Sequence, residues 1–211
     1  MKSKLRYDPA AAVAHLRQAD PEMAALIDRV GPFVLPPRKT ATLFEALLRS
    51  IVYQQLHGKA ASTILGRVVA ILDRHGGATA EAMLAASDEH LRGAGLSRSK
   101  MLAGRDLAAK VRDGVVPSLR EAHALPDDEL VARLTEVRGI GPWTVHMLLI
   151  FYLGRPDVMP TGDYAVRMAF KRLYRKRREP KPEHILKHAK CWQPYRSVAA
   201  WYLWRSMDTQ T

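Results

Sequence analysis

The sequence predicts an all-α protein on three observations. Apolar residues recur at helical spacing almost everywhere, no segment sustains two-residue alternation between hairpin turns, and proline or glycine pairs open and stop the periodic stretches. The elements follow in order. Asp8-Pro9 and Asp20-Pro21 each set a capping carboxylate before a proline at the first helical position, which opens two short helices ahead of a linker from Gly31 to Pro37. Thr40 to about Leu56 then carries Leu43, Phe44, Leu47, Leu48, Ile51 and Val52 on one wide apolar face, and Lys59 to about His75 repeats the pattern until Gly76-Gly77 stops it. Shorter helices are expected over 79–86 and 87–93, with a longer one from Ser97 to Arg112 ended by Asp113-Gly114. Pro126 opens a helix through Thr135, Gly141-Pro142 opens one to about Leu153, and Gly162 opens one that runs into a basic stretch. The last begins near Pro194 and carries Trp201 and Trp204.

The composition limits what such a helical protein can be. Its 211 residues hold 33 Lys+Arg against 21 Asp+Glu, a net charge of +12, and 47% hydrophobic residues are enough for a real core. A solvated surface does not need that excess, so a polyanion is the first partner to expect, nucleic acid ahead of an anionic membrane. Residues 167–190 hold ten Lys/Arg against Glu179 and Glu183, a local net of +8, which is two thirds of the whole. The single cysteine, Cys191, excludes an internal disulfide framework, a four-cysteine zinc site and a cysteine-ligated iron–sulfur cluster. The N-terminal segment carries charge every few residues and lacks the apolar core of a signal peptide. The longest uncharged apolar run, Trp143 to Leu153, is 11 residues and contains His146, well short of a membrane span. The expectation is a soluble cytoplasmic protein that resides with its polyanion, without contact to a membrane.

The segment Leu134 to Thr144 is the most informative. Its pattern, apolar-x-x-apolar-x-Gly-Ile-Gly followed by a new helix, joins two glycines that allow a tight turn to a helix whose first N–H groups point outward. Gly139, Ile140, Gly141 and Thr144 therefore make an anion site suited to a DNA phosphate, read without base specificity. An ordinary helix–helix corner with a glycine cap is the alternative.

With that pattern quoted, the chain resembles the helix-hairpin-helix superfamily of DNA base-excision glycosylases. Gly162-Asp163 stands where that family places its catalytic aspartate. Phe44-Glu45 through Gln54-Gln55-Leu56 is similar to its Gln-Gln helix, and Gly95-Leu96-Ser97-Arg98-Ser99-Lys100 to its Gly-Leu-Ser-x-x-Lys turn. Trp192-x-Pro194-Tyr195-Arg196-Ser197 resembles the Trp-x-Pro-Trp-Arg-Ser segment of the DNA-3-methyladenine glycosylase II family, with Tyr195 in place of a tryptophan. The resemblance runs from about residue 40 to 205.

It implies two helical subdomains with a DNA-binding cleft between them. Residues 40–150 would form a helical barrel carrying the hairpin at 134–147, and 1–39 with 151–211 the second subdomain. The implied reaction is hydrolytic removal of alkylated purines, of the 3-methyladenine and 7-methylguanine type, from double-stranded DNA during base-excision repair. The implied enzyme is a monomer without a cofactor, and would be nuclear in a eukaryote. Such hydrolysis passes through an oxocarbenium-like sugar and needs a fixed negative charge, which the resemblance assigns to Asp163. From the local residues alone, Gly-Asp-Tyr-Ala-Val reads as a helix start with Asp163 its cap. Asp157 reads as a loop residue.

In lyase-competent relatives a lysine follows the Gly-x-Gly; here that position is Trp143, which implies water as the nucleophile. The resemblance places Trp143, Trp204, Met147 and Gln54 at the base pocket, with Met147 standing where the family has a tyrosine. Stacking and cation–π attraction select a methylated, positively charged purine there, at about 1 kcal/mol per ring. Core packing is the simpler account of Trp192 and Trp201. Gln55 falls at the wedge position that fills the gap left by a flipped base, with Leu56 beside it. Backbone carbonyls of Thr135, Val137 and Ile140 would hold a structural Na+ or K+. His184 and His188 read as solvated surface without a third metal ligand. Two other functions stay open on the residues: a glycosylase for mismatched or oxidised bases, and a noncatalytic hairpin module that binds DNA for a partner.

Overall fold

A computed structural model describes residues 5–35 and 40–208; Pro36 and Pro37, the end of the expected linker, lie outside them. Two helices come first, α1 (Pro9–Ala19) and α2 (Pro21–Val30), each started by proline behind an aspartate whose carboxylate accepts backbone N–H groups of the first turn. Eight follow: α3 (Leu43–Tyr53), α4 (Gly58–Asp73), α5 (Ala80–Ala85), α6 (Asp88–Gly93), α7 (Arg98–Arg112), α8 (Leu119–Ala124), α9 (Asp127–Thr135) and α10 (Pro142–Met147). A π-helical turn over Leu148–Tyr152 continues α10, and α11 (Tyr164–Leu173), α12 (Pro182–His188) and α13 (Arg196–Asp208) complete the chain. No strand occurs among the described residues, and no helix among them is long and apolar enough to cross a membrane.

Several boundaries differ from the sequence reading for local reasons. Helix α3 begins at Leu43, not Thr40, because Thr42 caps it and accepts the Glu45 N–H at 3.1 Å, while the Glu45 carboxylate reaches back to the Ala41 N–H at 2.9 Å. It stops at Tyr53 rather than Leu56 because Gln55 turns left-handed at φ +57°. Helices α8 and α12 are additional. The first is set by a Ser118/Glu121 capping box, and the second by Pro182 at its first turn, within the basic stretch. The expected continuous helix from Gly141 to Leu153 changes to π geometry at Leu148, a shift that an unbroken apolar run cannot announce.

The helices sort into two compact units. The described residues of Lys39–Leu148 form one, those of Met1–Arg38 and Leu149–Thr211 the other. In the first, α7 packs against α3 and α5, with Leu47, Ile51, Val52, Met83 and Leu107 fully or almost fully buried. Arg105 on α7 binds the carbonyls of Met83, Leu84 and Ala86 together with Asp88, which closes the C-terminal end of α5.

The core of the second unit combines α1, α2, α11 and α13, with Leu16, Met23, Phe170, Trp192 and Tyr202 buried. At its centre lies Asp20, only 4% exposed. Oδ1 caps α2 by accepting the Glu22 and Met23 N–H groups, and Oδ2 accepts the Tyr174 hydroxyl, His188 Nε2–H and Trp192 Nε1–H. Burial pushes this carboxyl's pKa up, but the hydrogen bonds from His188, Tyr174, Met23 and Trp192 more than reverse it and hold the group far below the usual carboxylate range. Burial and the bond to Asp20 push the Tyr174 hydroxyl up. This corrects the reading of His188 as solvated surface: its ring packs edge-on to Phe170 and Trp192, whereas His184 is exposed as expected. Trp192 and Trp201 are core residues, 0% and 7% exposed.

Candidate active site

In the first unit the hairpin is the turn from α9 to α10. Gly139 sits at φ +78°, a region that disfavours any residue with a Cβ. Gly141 is different, because φ −102° and ψ 172° are open to every residue, and a Cβ added there would meet nothing within 4 Å. Nothing among the described residues demands that glycine, whereas a ligand closing on the backbone would. Two side chains hold the turn: Gln54 Nε2–H donates to the Gly139 carbonyl at 2.8 Å, and Asp106 on α7 accepts the Arg138 N–H at 2.7 Å.

The four residues expected to bind phosphate differ in exposure and in backbone bonding. The Ile140 N–H is taken by the Val137 carbonyl at 3.0 Å, and the Ile140 side chain is buried. Thr144 is buried too, at 8% exposure. Gly139 is exposed and Gly141 half-buried. Of the three carbonyls that the resemblance assigns to a cation, that of Val137 accepts the Ile140 N–H. Those of Thr135 and Ile140 accept no backbone N–H of the turn among the described residues. Neutral carbonyl oxygens left in this way fit a monovalent cation.

A cavity of about 510 Å³ opens beside the hairpin. Arg49, Tyr53, Gln54 and Gln55 line it from α3 and its C-terminal end, and Trp143, Thr144 and Met147 from α10. Three of the four residues expected at the base pocket thus meet in one cavity, with Trp143 49% exposed although it is a large apolar ring. Gln54 does more than line it, since its amide is committed to the hairpin carbonyl. Gln55 is exposed in its left-handed conformation, and Leu56 next to it is 38% exposed. A non-glycine residue held at φ +57° costs on the order of 1 kcal/mol.

The Gly95 to Lys100 turn has a physical role that its pattern did not reveal. Gly95 turns at φ +104°, Ser97 caps α7, and Lys100 Nζ donates to the carbonyls of Val52 and Gln54, both at 2.7 Å. The ammonium closes the C-terminal end of α3, where the helix dipole favours a cation, and burial pulls its pKa down. Lys100 therefore fixes the backbone from which Gln54 and Gln55 project. Asp106 could not be found from sequence, because an aspartate on a helix face carries no sign of a partner 32 residues away.

In the second unit, Asp163 caps α11. Its Oδ1 accepts the Val166 N–H at 2.9 Å and the Trp204 Nε1–H at 3.1 Å, and the residue is 8% exposed. The local capping reading is met, by the same carboxylate to which the resemblance assigns the chemistry. Trp204 acquires a neighbour that the pocket assignment did not include, with its N–H on Asp163 and its ring 5.4 Å from Phe151. The loop leading to Asp163 is clamped from α13. Arg196 pairs with Asp157 through Nε to Oδ1 at 2.7 Å and Nη2 to Oδ2 at 2.9 Å. Ser197 Oγ accepts the Val158 N–H at 2.9 Å, and its own N–H donates to the Pro156 carbonyl at 2.9 Å. Asp157 is accordingly half of a bidentate ion pair rather than a plain loop residue, and the Arg-Ser of the C-terminal motif is a clamp.

Most of the basic stretch is exposed, including Arg175, Lys176, Arg177 and Arg178, while Arg167 is paired with Glu179 at 2.6 Å. Asp20, His188 and Cys191 offer ligand atoms within 4.8 Å of one another. The Asp20 carboxylate is already filled by N–H and O–H donors, and burial pushes the Cys191 thiol up, toward its protonated form.

This fold and these residues define a helix-hairpin-helix DNA repair protein. Residues 48–194 match the HhH-GPD superfamily of base excision DNA repair proteins, and the chain belongs to that family. It is 37% identical over 197 residues to DNA-3-methyladenine glycosylase 1 of Schizosaccharomyces pombe, covering 92% of this chain and 86% of the relative. The solved structure of the S. pombe 3-methyladenine DNA glycosylase Mag1 in complex with abasic DNA superposes with a TM-score of 0.81 at 36% identity, covering 95% of this chain and 98% of that one. A DNA-3-methyladenine glycosidase from Bacillus halodurans gives 0.83 at 33% identity, covering 99% and 92%.

Proposed function

We propose that the protein is a monofunctional glycosylase, which hydrolyses the N-glycosidic bond of alkylated purines in duplex DNA during base-excision repair. The observation that carries this is Asp163, a nearly buried carboxylate fixed on one oxygen by a helix N-terminus and an indole N–H. The names of the relatives at 37% and 33% identity support it. As the C1′–N bond breaks, its electron pair leaves with the base and the sugar takes on oxocarbenium character. Asp163 holds negative charge against that cation, and water adds its oxygen to C1′ while its proton passes through the carboxylate to solvent. An N3- or N7-methylated purine departs neutral, because its positive charge accepts the pair.

The cavity at Trp143 and Met147 takes the extruded base, and Gln55 with Leu56 fills the space it leaves. The hairpin grips phosphate through the backbone at Gly139 and Gly141, and the carbonyls of Thr135 and Ile140, with that of Val137 as a shared acceptor, would hold a monovalent cation that would add positive charge there. The protein acts as a monomer on alkylated double-stranded DNA. The test is release of free base from methylated duplex: 3-methyladenine or 7-methylguanine is expected, and release of neither overturns the reading.

Two further results are expected. With Trp143 where a Schiff-base lysine would stand, borohydride should trap no covalent protein–DNA adduct; a trapped adduct would reveal a lyase nucleophile. Replacing Arg175, Lys176, Arg177 and Arg178 by glutamine should weaken binding about equally on all duplexes. It should also flatten the plot of log K against log salt, by about 0.9 for every phosphate that the variant no longer neutralises. An unchanged slope would place this cluster away from the DNA.

A further inference from the structure

We infer that Arg167 is a positioning residue for Asp163, steered onto the backbone beside that carboxylate by Glu179 of the basic stretch. The inference rests on Asp163 being the carboxylate that acts on the sugar, as proposed above. Arg167 stands one turn into α11, four residues after Asp163. Its Nη1–H donates to the Gly162 carbonyl at 3.0 Å, and its Nε–H to Glu179 Oε1 at 2.6 Å. The guanidinium carbon lies 5.9 Å from the centre of the Tyr164 ring, which is 65% exposed. One half-buried side chain thus reaches both residues that flank Asp163.

These bonds fix the peptide group from which Asp163 projects. The Asp163 N–H donates to the Pro160 carbonyl at 2.9 Å, so the amide between Gly162 and Asp163 is held at its N–H by the turn and at its oxygen by Arg167. Gly162 cannot fix that plane by itself, because it has no side chain to pack and a Cβ added there would meet nothing within 4 Å. The Oδ1 bonds to Val166 and Trp204 orient the carboxylate about its own torsions, and Arg167 sets the backbone from which those torsions start.

The arrangement also accounts for Glu179. Residues 167–190 carry ten Lys/Arg, and a carboxylate among them works against attraction of a polyanion. Glu179 follows the exposed Arg175 to Arg178 and precedes the buried Pro180, so it stands on a fixed point of the stretch with its carboxylate on the Arg167 guanidinium. The planar fork of an arginine offers donors enough to serve the carboxylate and the carbonyl together.

Position and charge give opposite expectations for Arg167→Met. Removing the guanidinium while Glu179 stays adds net negative charge, which by charge alone favours an oxocarbenium and speeds release. Loosening Asp163 slows release, since an ångström of misplacement costs up to about a hundredfold in rate.

The experiment measures single-turnover release of 7-methylguanine at enzyme concentrations that saturate a methylated duplex, so that affinity drops out, together with Tm. Arg167→Met is expected to lower the maximal rate about tenfold. Its Tm should stay within about 4 °C of the wild type. Glu179→Ala, a change at an exposed residue, should lower the rate about threefold. In the Asp163→Asn background, Arg167→Met should alter the residual rate by less than about twofold, because the group through which it acts is already gone. An unchanged or faster rate in Arg167→Met would overturn the assignment, and so would an unchanged rate in Glu179→Ala. A full tenfold loss in the Asp163→Asn background would show Arg167 acting independently of that carboxylate and would equally reject it. If Asp163→Asn releases base as fast as the wild type, or the wild type releases none, the failure lies with the underlying reading instead.

Discussion

Asp163→Asn is expected to fold as the wild type does and to release methylated purine at least about a thousandfold more slowly, a loss of roughly 4 kcal/mol of transition-state stabilisation. The separation follows from geometry. Asparagine caps helices as well as aspartate does, and its amide oxygen placed at Oδ1 still accepts the Val166 N–H and the Trp204 indole N–H. What disappears is the negative charge that the proposed mechanism sets against the sugar. Thermal unfolding and single-turnover release on the same preparations check both halves. Undiminished release would remove Asp163 from the chemistry, and a collapsed fold would show that the carboxylate is structural first.

The second large effect concerns stability rather than catalysis. Asp20→Ala strips the acceptor from Tyr174, His188 and Trp192 and removes the cap of α2 in one step. Leaving the buried Trp192 and the part-buried Tyr174 and His188 donors without that partner should cost about 3–5 kcal/mol and lower Tm by about 10 °C. The pH dependence has a definite sign. The Asp20 pKa is depressed in the folded protein, so its contribution is complete above the unfolded carboxylate value near 4 and is lost as pH falls through the lower folded value. The gap in Tm between wild type and variant should therefore be wide at pH 7 and narrow on strong acidification. A gap under about 2 °C at pH 7 would mean that the donors find other partners.

Much of this molecule is legible in its sequence where the controlling forces are local. Asp8-Pro9, Asp20-Pro21 and the Gly-Ile-Gly turn act over three or four residues, and each forms a cap or turn at its expected place. The Ser118-x-x-Glu121 capping box was equally local, but it stands before a helix of six residues with a single buried position, too short for periodicity to signal. The residues that escaped act across the chain. Asp106 on the hairpin, Lys100 on the end of α3, Arg196 on Asp157 and the donors gathered on Asp20 are each joined over tens to more than a hundred residues. A family motif marks that such positions matter; only the fold shows that Lys100 and Arg196 are supports for neighbouring backbone. Gln54 lies between the two cases. It belongs to a recognisable pair, yet its amide belongs to the hairpin as much as to the cavity.

The hairpin turn is secured before any DNA arrives, its Gly139 carbonyl and Arg138 N–H fixed by Gln54 and Asp106. On the proposed reading, little disorder has to be removed when a phosphate reaches it, and that contact is made equally well on sound and damaged duplex. Residence on DNA then carries little information about damage. Discrimination falls to later events, the extrusion of a base and the breaking of its bond, and the search is governed by how briefly the protein pauses at each sound base pair rather than by how tightly it holds a lesion.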